Sequence, residues 1–200
     1  MRPSRPTAAL IALGLLLAAL PVAAHPHVWI DNATTFVLRQ GKIVAIRLEW
    51  TFDEIFGDGI IDQFDKNKDK KFDAKELAAL EQGAFANLRE FDYFTHLSVD
   101  DKELPTKSVT GFAARIVKGK LVYSFTVPVD PPVDPLKRRV VLGVYDSTYF
   151  VDLQPGGRES VRFEGAEGMD CRTQLAENTK KPIYGGQVFP LEMFLTCRAP

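Results

Sequence analysis

Short segments in which apolar and polar residues alternate cover most of the chain, and they constrain its fold more than any other feature. The segments 34–39 and 43–52 flank Gln40-Gly41-Lys42, which is the pattern of a β-hairpin. Because successive side chains on a strand point to opposite faces, such segments bury one face and expose the other. They predict a mainly antiparallel, β-sandwich-like domain of about eight to ten strands. The other candidate strands are 27–32, 97–99, 107–117, 121–129, 139–145, 149–153, 160–164, 170–175 and 191–197.

One part of the chain has the spacing of helices instead. Apolar residues recur every three or four positions over 53–64 and again over 74–91, which predicts two helices. Together with the loop between them they form a helix–loop–helix, at about 53–91, inserted after the third strand. The insert is too small for a core of its own, so we expect a single α+β domain over 25–200. Three prolines within 130–135 predict a loop there.

The loop between the two predicted helices matches the twelve-residue EF-hand calcium loop. Carboxylate and amide side chains stand at positions 1, 3, 5, 9 and 12 of residues 65–76, and position 7 offers a backbone carbonyl. Ca²⁺ is a hard cation that takes six to eight oxygen ligands, and this spacing wraps oxygens around one point. The predicted ligands are Asp65, Asn67, Asp69, Lys71, Asp73 and Glu76.

Two features of the loop argue for weak binding or for none. Lys70 stands at position 6, where the sharp turn normally requires glycine, and a left-handed lysine costs about 1–2 kcal/mol. Further lysines surround the loop and oppose the charge of an ion, so we expect a dissociation constant of about 10⁻⁴–10⁻³ M. The alternative is a polar loop whose acids cap the second helix. A single loop of this kind favours a structural role over a calcium-dependent switch.

The N-terminal segment has the pattern of a signal peptide. Arg2 and Arg5 precede an apolar run over 8–20, and small residues end at Ala24. The run is too short for a membrane-spanning helix. We therefore expect residues 1–24 to be removed on export, leaving no membrane span. The net charge of −1 excludes a strongly basic nucleic-acid-binding protein.

The chain has two cysteines, Cys171 and Cys197. In an oxidising compartment such a pair predicts one disulfide. Two thiolate metal ligands are the alternative, but the spacing is much longer than the short Cys-x₂₋₄-Cys spacing of zinc sites. The sequence therefore favours the disulfide.

The chain has three histidines, and two of them would begin the processed protein. His25 and His27 share one face of an extended segment, and the α-amine of His25 could chelate together with its imidazole. His96, at the start of a strand, is the candidate third ligand. Nitrogen ligands of this kind suit Zn²⁺, Cu²⁺ or Ni²⁺. The alternatives are a frayed terminus and an ordinary histidine in a strand.

The sequence contains none of the common catalytic motifs, so we do not expect an enzyme. A nucleophile elbow, a phosphate-binding loop, HExxH and GxGxxG are all missing. Asp53 and Glu54, directly before the first helix, are interpreted as helix-capping residues. The segment 145–149 is interpreted as a tight turn, and the aromatic residues as packing.

Several motifs together resemble a known family. They are His25-Pro-His-Val-Trp-Ile-Asp31, Glu49-Trp-Thr-Phe-Asp53, the EF-hand-like loop, Tyr93-Phe-Thr-His96 and Tyr145-Asp-Ser-Thr-Tyr-Phe-Val-Asp152. The chain resembles an uncharacterised bacterial periplasmic family described as an auxiliary component of ABC-type transport systems. Members often accompany nickel/cobalt-type or other divalent-metal permeases. The resemblance thus implies a secreted metal-handling protein whose partner is a permease. That family commonly has Asp-Gly at loop positions 5 and 6, where this chain has Asp69-Lys70.

Three functions are compatible with these features. The first is a periplasmic metal-binding accessory protein of a divalent-metal transport system. The second is a structural or protein-interaction module that Ca²⁺ stabilises. The third is a copper enzyme of the histidine-brace kind, which only the histidine ligand set supports.

Overall fold

The computed structural model describes residues 26–157 and 160–199. The described residues form strands, two α-helices and two short 3₁₀ segments, Phe85–Phe94 and Tyr184–Gly186. The helices are α1 (Glu54–Phe64) and α2 (Ala74–Gly83). The strands are β1 (Val28–Arg39), β2 (Lys42–Phe52), β3 (Thr95–Val99), β4 (Lys102–Leu104), β5 (Thr110–Val117), β6 (Lys120–Val133), β7 (Val140–Val144), β8 (Val151–Pro155), β9 (Val161–Glu164), β10 (Asp170–Glu177) and β11 (Leu191–Arg198).

The strands form two sheets. The first has the order β5-β6-β2-β1, and the outer edge of β1 pairs in parallel with β8 along its first half and with β9 along its second half. The second sheet has the order β10-β11-β7-β3-β4 and is antiparallel throughout. The predicted α+β class with mainly antiparallel strands is confirmed. The two parallel pairings on β1 were not predicted.

The hydrophobic core contains side chains from both sheets. Trp50 and Phe125 of the first sheet are buried and pack edge to face, with ring centroids 4.8 Å apart. Leu97 and Leu142 of the second sheet belong to the same buried cluster. The cluster also contains Leu80 of α2, which is fully buried. Thus the core lies between the sheets and also holds the helices in place.

Three hairpins have two-residue turns in the left-handed conformation. Both residues have positive φ in Gln40-Gly41, Lys118-Gly119 and Asp100-Asp101. Such turns match the right-handed twist of the flanking strands. The two predicted glycine-containing hairpins, β1–β2 and β5–β6, are confirmed.

Three predicted boundaries were wrong. β1 runs unbroken over Val28–Arg39, so the helix–loop–helix follows the second strand rather than the third. The predicted second helix ends at Gly83, and the 3₁₀ segment follows. A Cβ atom on residue 83 would lie about 3.2 Å from the ring of Phe64. β6 continues through the predicted loop to Val133. β5 pairs with β6 only as far as Thr126, so beyond this residue β5 leaves one edge of β6 unpaired. Proline lacks a backbone N–H, and it is tolerated at such an edge because no N–H has to bond to a neighbouring strand.

The predicted disulfide is confirmed. Cys171 and Cys197 are directly opposite each other on β10 and β11, and their sulfur atoms are bonded at 2.04 Å. The bond joins the edge strand of the second sheet to its neighbour.

Within residues 26–157 and 160–199, no helix is long and apolar enough to cross a membrane. The predicted signal peptide, 1–24, and His25 lie outside the described residues.

Candidate functional site

Both ends of the loop over 65–76 are fixed by the helices beside it. α1 begins at its N-cap residue Asp53, whose carboxylate accepts a hydrogen bond from the amide of Phe56 at 3.0 Å. Phe64, at the end of α1, is buried in the core, and Phe72 within the loop packs against the core. The predicted cap role of Asp53 is thereby confirmed. The loop is held against the β-domain by apolar contacts on both sides.

The first predicted ligand, Asp65, is a buried carboxylate. Its side chain is 3% exposed. Its two oxygens accept hydrogen bonds from the backbone amides of Asp69 at 3.2 Å and Lys70 at 2.9 Å. The loop therefore folds back over Asp65, and amide dipoles solvate its charge.

The last predicted ligand, Glu76, closes the loop from the other end. It is 7% exposed. Its Oε1 accepts from the amides of Lys66 at 2.8 Å and Asn67 at 3.3 Å, and its Oε2 accepts from the amide of Asp73 at 3.1 Å. The carboxylate thus bonds to both ends of the loop.

The middle of the loop is a series of tight turns. Asn67 Oδ1 accepts from the amide of Asp69 at 2.9 Å, and Asp69 Oδ1 accepts from the amide of Lys71 at 2.9 Å. Lys68 and Lys70 have φ of 59° and 62°. Position 6 therefore adopts the left-handed conformation that glycine usually provides, at a cost of about 1–2 kcal/mol for lysine.

The lysines of the loop leave its acids without ionic partners. All five lysines, between residues 66 and 75, are exposed. In the described part of the chain, no ion pair joins any of them to a carboxylate of the loop. Amide hydrogen bonds alone therefore compensate the charges of Asp65 and Glu76 within the protein.

Helix capping explains part of this arrangement. Asp73 accepts from the amides of Lys75 and Glu76, both at 2.8 Å, and Glu76 bonds back to Asp73, which completes a capping box. Among the described residues, no group of three or more His, Cys, Asp or Glu side chains is arranged to hold a metal ion. Capping accounts for Asp73 and Glu76, but it does not account for buried Asp65.

The two described histidines lie at opposite ends of one loop, residues 145–150. His27 is exposed, its ring lies 4.8 Å from that of Phe150, and its amide donates to the Phe150 carbonyl at 2.9 Å. The His96 ring stacks on the Tyr145 ring at 4.0 Å. The two rings thus contact different residues of this loop, and His25 lies outside the described residues.

Both ring nitrogens of His96 have partners. Nε2 lies 3.1 Å from the Tyr145 carbonyl oxygen, so Nε2 carries the hydrogen, and Nδ1 lies 3.4 Å from Oε1 of Glu103. A metal ion at His96 would therefore have to displace one of these partners. Burial, together with the charges of Glu192 and Glu103, raises the pKa of Tyr145 to about 12, so its hydroxyl group stays neutral.

The predicted turn at 145–149 is confirmed, and its central residue was missed. Asp146 is 3% exposed, and its carboxylate accepts from the amides of Thr148, Phe150 and Val151 at 2.9–3.1 Å. The pattern Asp-Ser-Thr in the sequence indicates a turn. It does not indicate burial of the Asp146 carboxylate, because that burial depends on how β7 and β8 pack around the turn. The structure also contains an apolar cavity beside this loop. The sequence did not predict the cavity, because the aromatic residues that line it are interpreted there as packing.

Comparison with other proteins identifies relatives of this chain. The sequence profile of the family described as "Protein of unknown function (DUF1007)" matches residues 10–191. An uncharacterised 15.5 kDa protein from the trpE 3′ region of Spirochaeta aurantia is 35% identical over 132 residues, which cover 66% of this chain and 94% of that protein. An uncharacterised protein of Haemophilus influenzae is 26% identical over 169 residues, which cover 84% of this chain and 79% of that protein.

The predicted membership of an uncharacterised family is confirmed by these matches. The profile covers most of the chain, including the loop over 65–76 and both described histidines. The chain therefore belongs to the DUF1007 family of proteins of unknown function.

Proposed function

We propose that this protein is a secreted, metal-binding accessory protein of a divalent-metal transport system, and that its loop over 65–76 binds Ca²⁺. The observation that carries the calcium part is the burial of Asp65 and Glu76 with backbone amides as their protein partners. Burying an ionised carboxylate is costly unless it is paired or bound to a metal. A divalent cation would supply the missing positive charge.

The residues of the loop suit calcium better than a transition metal. They offer oxygen atoms only, and hard cations such as Ca²⁺ prefer oxygen. The ion would be held by Asp65, Asn67, Asp69, Asp73, Glu76 and the backbone carbonyl of Lys71. Oε1 of Glu76 already accepts two amide bonds, so bidentate binding would replace at least one of them. Binding in this place would fix α1 to α2, which is a structural rather than a catalytic role.

The transport part of the proposal depends on the family resemblance and on the histidines. His25 and His27 would bind Zn²⁺, Ni²⁺ or Cu²⁺ and present it to a membrane permease. His96 is a weaker candidate, since its Nε2 donates to the Tyr145 carbonyl and its Nδ1 lies 3.4 Å from Oε1 of Glu103. The proposed ligands are therefore the α-amine and imidazole of His25 together with His27.

Calorimetric titration of the chelator-treated protein with CaCl₂ tests the calcium site. We expect one site per chain, with a dissociation constant of about 10⁻⁴–10⁻³ M. Glu76→Gln should abolish binding, because an amide cannot supply the bidentate carboxylate. Glu81→Gln, an exposed change on the same helix, is the matched control. Equal binding by wild type and Glu76→Gln would refute the site.

Metal analysis of the protein purified from the periplasm tests the histidine site. We expect near-stoichiometric Zn, Ni or Cu when His25 is confirmed as the first residue, and loss of that metal in His27→Ala with unchanged calcium binding. Calcium binding without any transition metal would favour the structural module that Ca²⁺ stabilises. The observation that favours this second function is the burial of Asp65 and Glu76 at the two ends of the loop between the helices, because an ion held there would stabilise the fold without any transition metal.

A further inference from the structure

An apolar cavity of about 410 Å³ lies beside the helix–loop–helix. Its walls come from the first sheet, from α1, from the 3₁₀ segment Phe85–Phe94 and from the loop 145–150. The volume is in the range of small-molecule sites, which are concave and mostly apolar. The cavity does not include the calcium loop or either described histidine.

Aromatic side chains form the floor and the mouth of this cavity. Trp50, Phe52 and Phe85 are buried in its floor. Phe91 and Phe150 also line it and are each 46% exposed. Because a large exposed aromatic side chain is unfavourable in water, Phe91 marks an entrance that an apolar ligand would cover, beside Phe150, whose ring also contacts His27.

One buried polar atom in the wall has no partner. The Tyr123 side chain lines the cavity and is 3% exposed, and its hydroxyl group makes no hydrogen bond to any described residue. Burial raises the pKa of Tyr123, so the hydroxyl group is neutral and can either donate or accept. The hydroxyl oxygen itself is buried, so Tyr123 contributes apolar ring surface to the cavity wall.

The polar side chains of Asp146 and Thr148 at the cavity already have hydrogen-bond partners. The Asp146 carboxylate accepts from the amides of its own loop and from the Thr148 hydroxyl group at 2.8 Å. Thr148 Oγ1 is thereby engaged as well. The negative charge of Asp146 disfavours an anionic ligand, and the apolar walls disfavour any charged one. The described side chains that line the cavity therefore favour an uncharged, mostly apolar ligand.

The segment beside the entrance has an unusual backbone. Asp92, Tyr93 and Phe94 have φ of 50°, 50° and 53°. Three successive left-handed residues without glycine are unfavourable, and such strain concentrates at ligand-binding sites. This segment places Phe91 at the mouth and Phe94 in the wall.

We propose that this cavity binds a small, uncharged and mostly apolar molecule. The aromatic walls favour a ligand with an aromatic ring, because aromatic pairs gain energy beyond their buried area. The cavity does not include the calcium loop, although Phe150 at its entrance contacts the His27 ring, and it would give this protein a second binding activity.

Fluorescence titration with N-phenyl-1-naphthylamine, an uncharged apolar probe, tests the cavity. We expect saturable binding of one probe per chain. Leu88→Trp should fill the cavity, of which Leu88 is a lining residue, and weaken binding at least tenfold. Leu136→Trp, the same change at a leucine that is 46% exposed elsewhere, should leave binding unchanged. Absence of saturable binding, or equal binding by a folded Leu88→Trp, would overturn the proposal.

Discussion

Replacing Glu76 by glutamine separates the two explanations of the loop, helix capping and calcium binding. In the absence of calcium, Glu76 accepts amide hydrogen bonds from Lys66 and Asn67 on one oxygen and from Asp73 on the other. A glutamine has only one oxygen, so its NH₂ group must face one of these N–H donors. At least one of these hydrogen bonds is therefore lost whether or not an ion binds.

The magnitudes of the two effects differ. Loss of a capping bond costs about 0.5–2 kcal/mol, which lowers Tm by about 1–8 °C for a protein of this size. With about 10 mM calcium and a dissociation constant of about 10⁻⁴–10⁻³ M, the wild type gains about 1.4–2.7 kcal/mol. That gain raises its Tm by about 3–10 °C, and the variant should gain nothing.

Thermal unfolding followed by circular dichroism, with chelator and then with CaCl₂, measures both effects. MgCl₂ at the same concentration controls for ionic strength, and Glu81→Gln controls for the loss of one charge on α2. If calcium raises Tm of wild type and Glu76→Gln equally, or of neither, the loop is a capped turn and the reasoning from the buried carboxylates is wrong.

Three further predictions concern the β-domain. Replacing Cys171 and Cys197 by serine should lower the free energy of unfolding by about 3 kcal/mol, because the disulfide closes a loop between residues 26 positions apart. Urea unfolding measures this loss, and reduction of the wild type should reproduce it. Asn32→Ala should cost about 1–3 kcal/mol in the same assay, because the buried Trp50 Nε1 donates to Asn32 at 3.1 Å and would lose its acceptor; a cost near zero would contradict this role. The hydrogen bond from Arg47 lowers the pKa of Glu164 from its usual 4.5, so folding favours the ionised carboxylate. The stability that wild type has over Glu164→Gln should therefore be present at neutral pH and disappear as the pH falls through the lowered pKa; a difference that does not change with pH would contradict this.

Local features of the sequence predicted much of the loop but not its burial. The spacing of the acids over 65–76 identified the turn, and Asp53 identified the start of α1. The pattern carried no information on how deeply Asp65 and Glu76 are buried, because burial depends on the β-domain against which both helices pack. The surroundings of His96 also depend on tertiary packing. The sequence predicted His96 as a metal ligand, whereas in the fold its ring nitrogens face Tyr145 and Glu103.

The sequence by itself determined the features that depend on neighbouring residues, which are the alternation of the strands, the two-residue turns and the helix caps. It also determined the pairing of Cys171 with Cys197, because the chain has two cysteines. The tertiary structure decided the rest. The parallel pairing of β1 with β8 and β9 joins segments more than 110 residues apart, and no local pattern encodes such a pairing. The cavity around Tyr123 arises where β6, α1, the 3₁₀ segment and the loop 145–150 meet. An aromatic residue in the sequence predicts burial, but only the assembled fold determines whether it fills the core or lines a space.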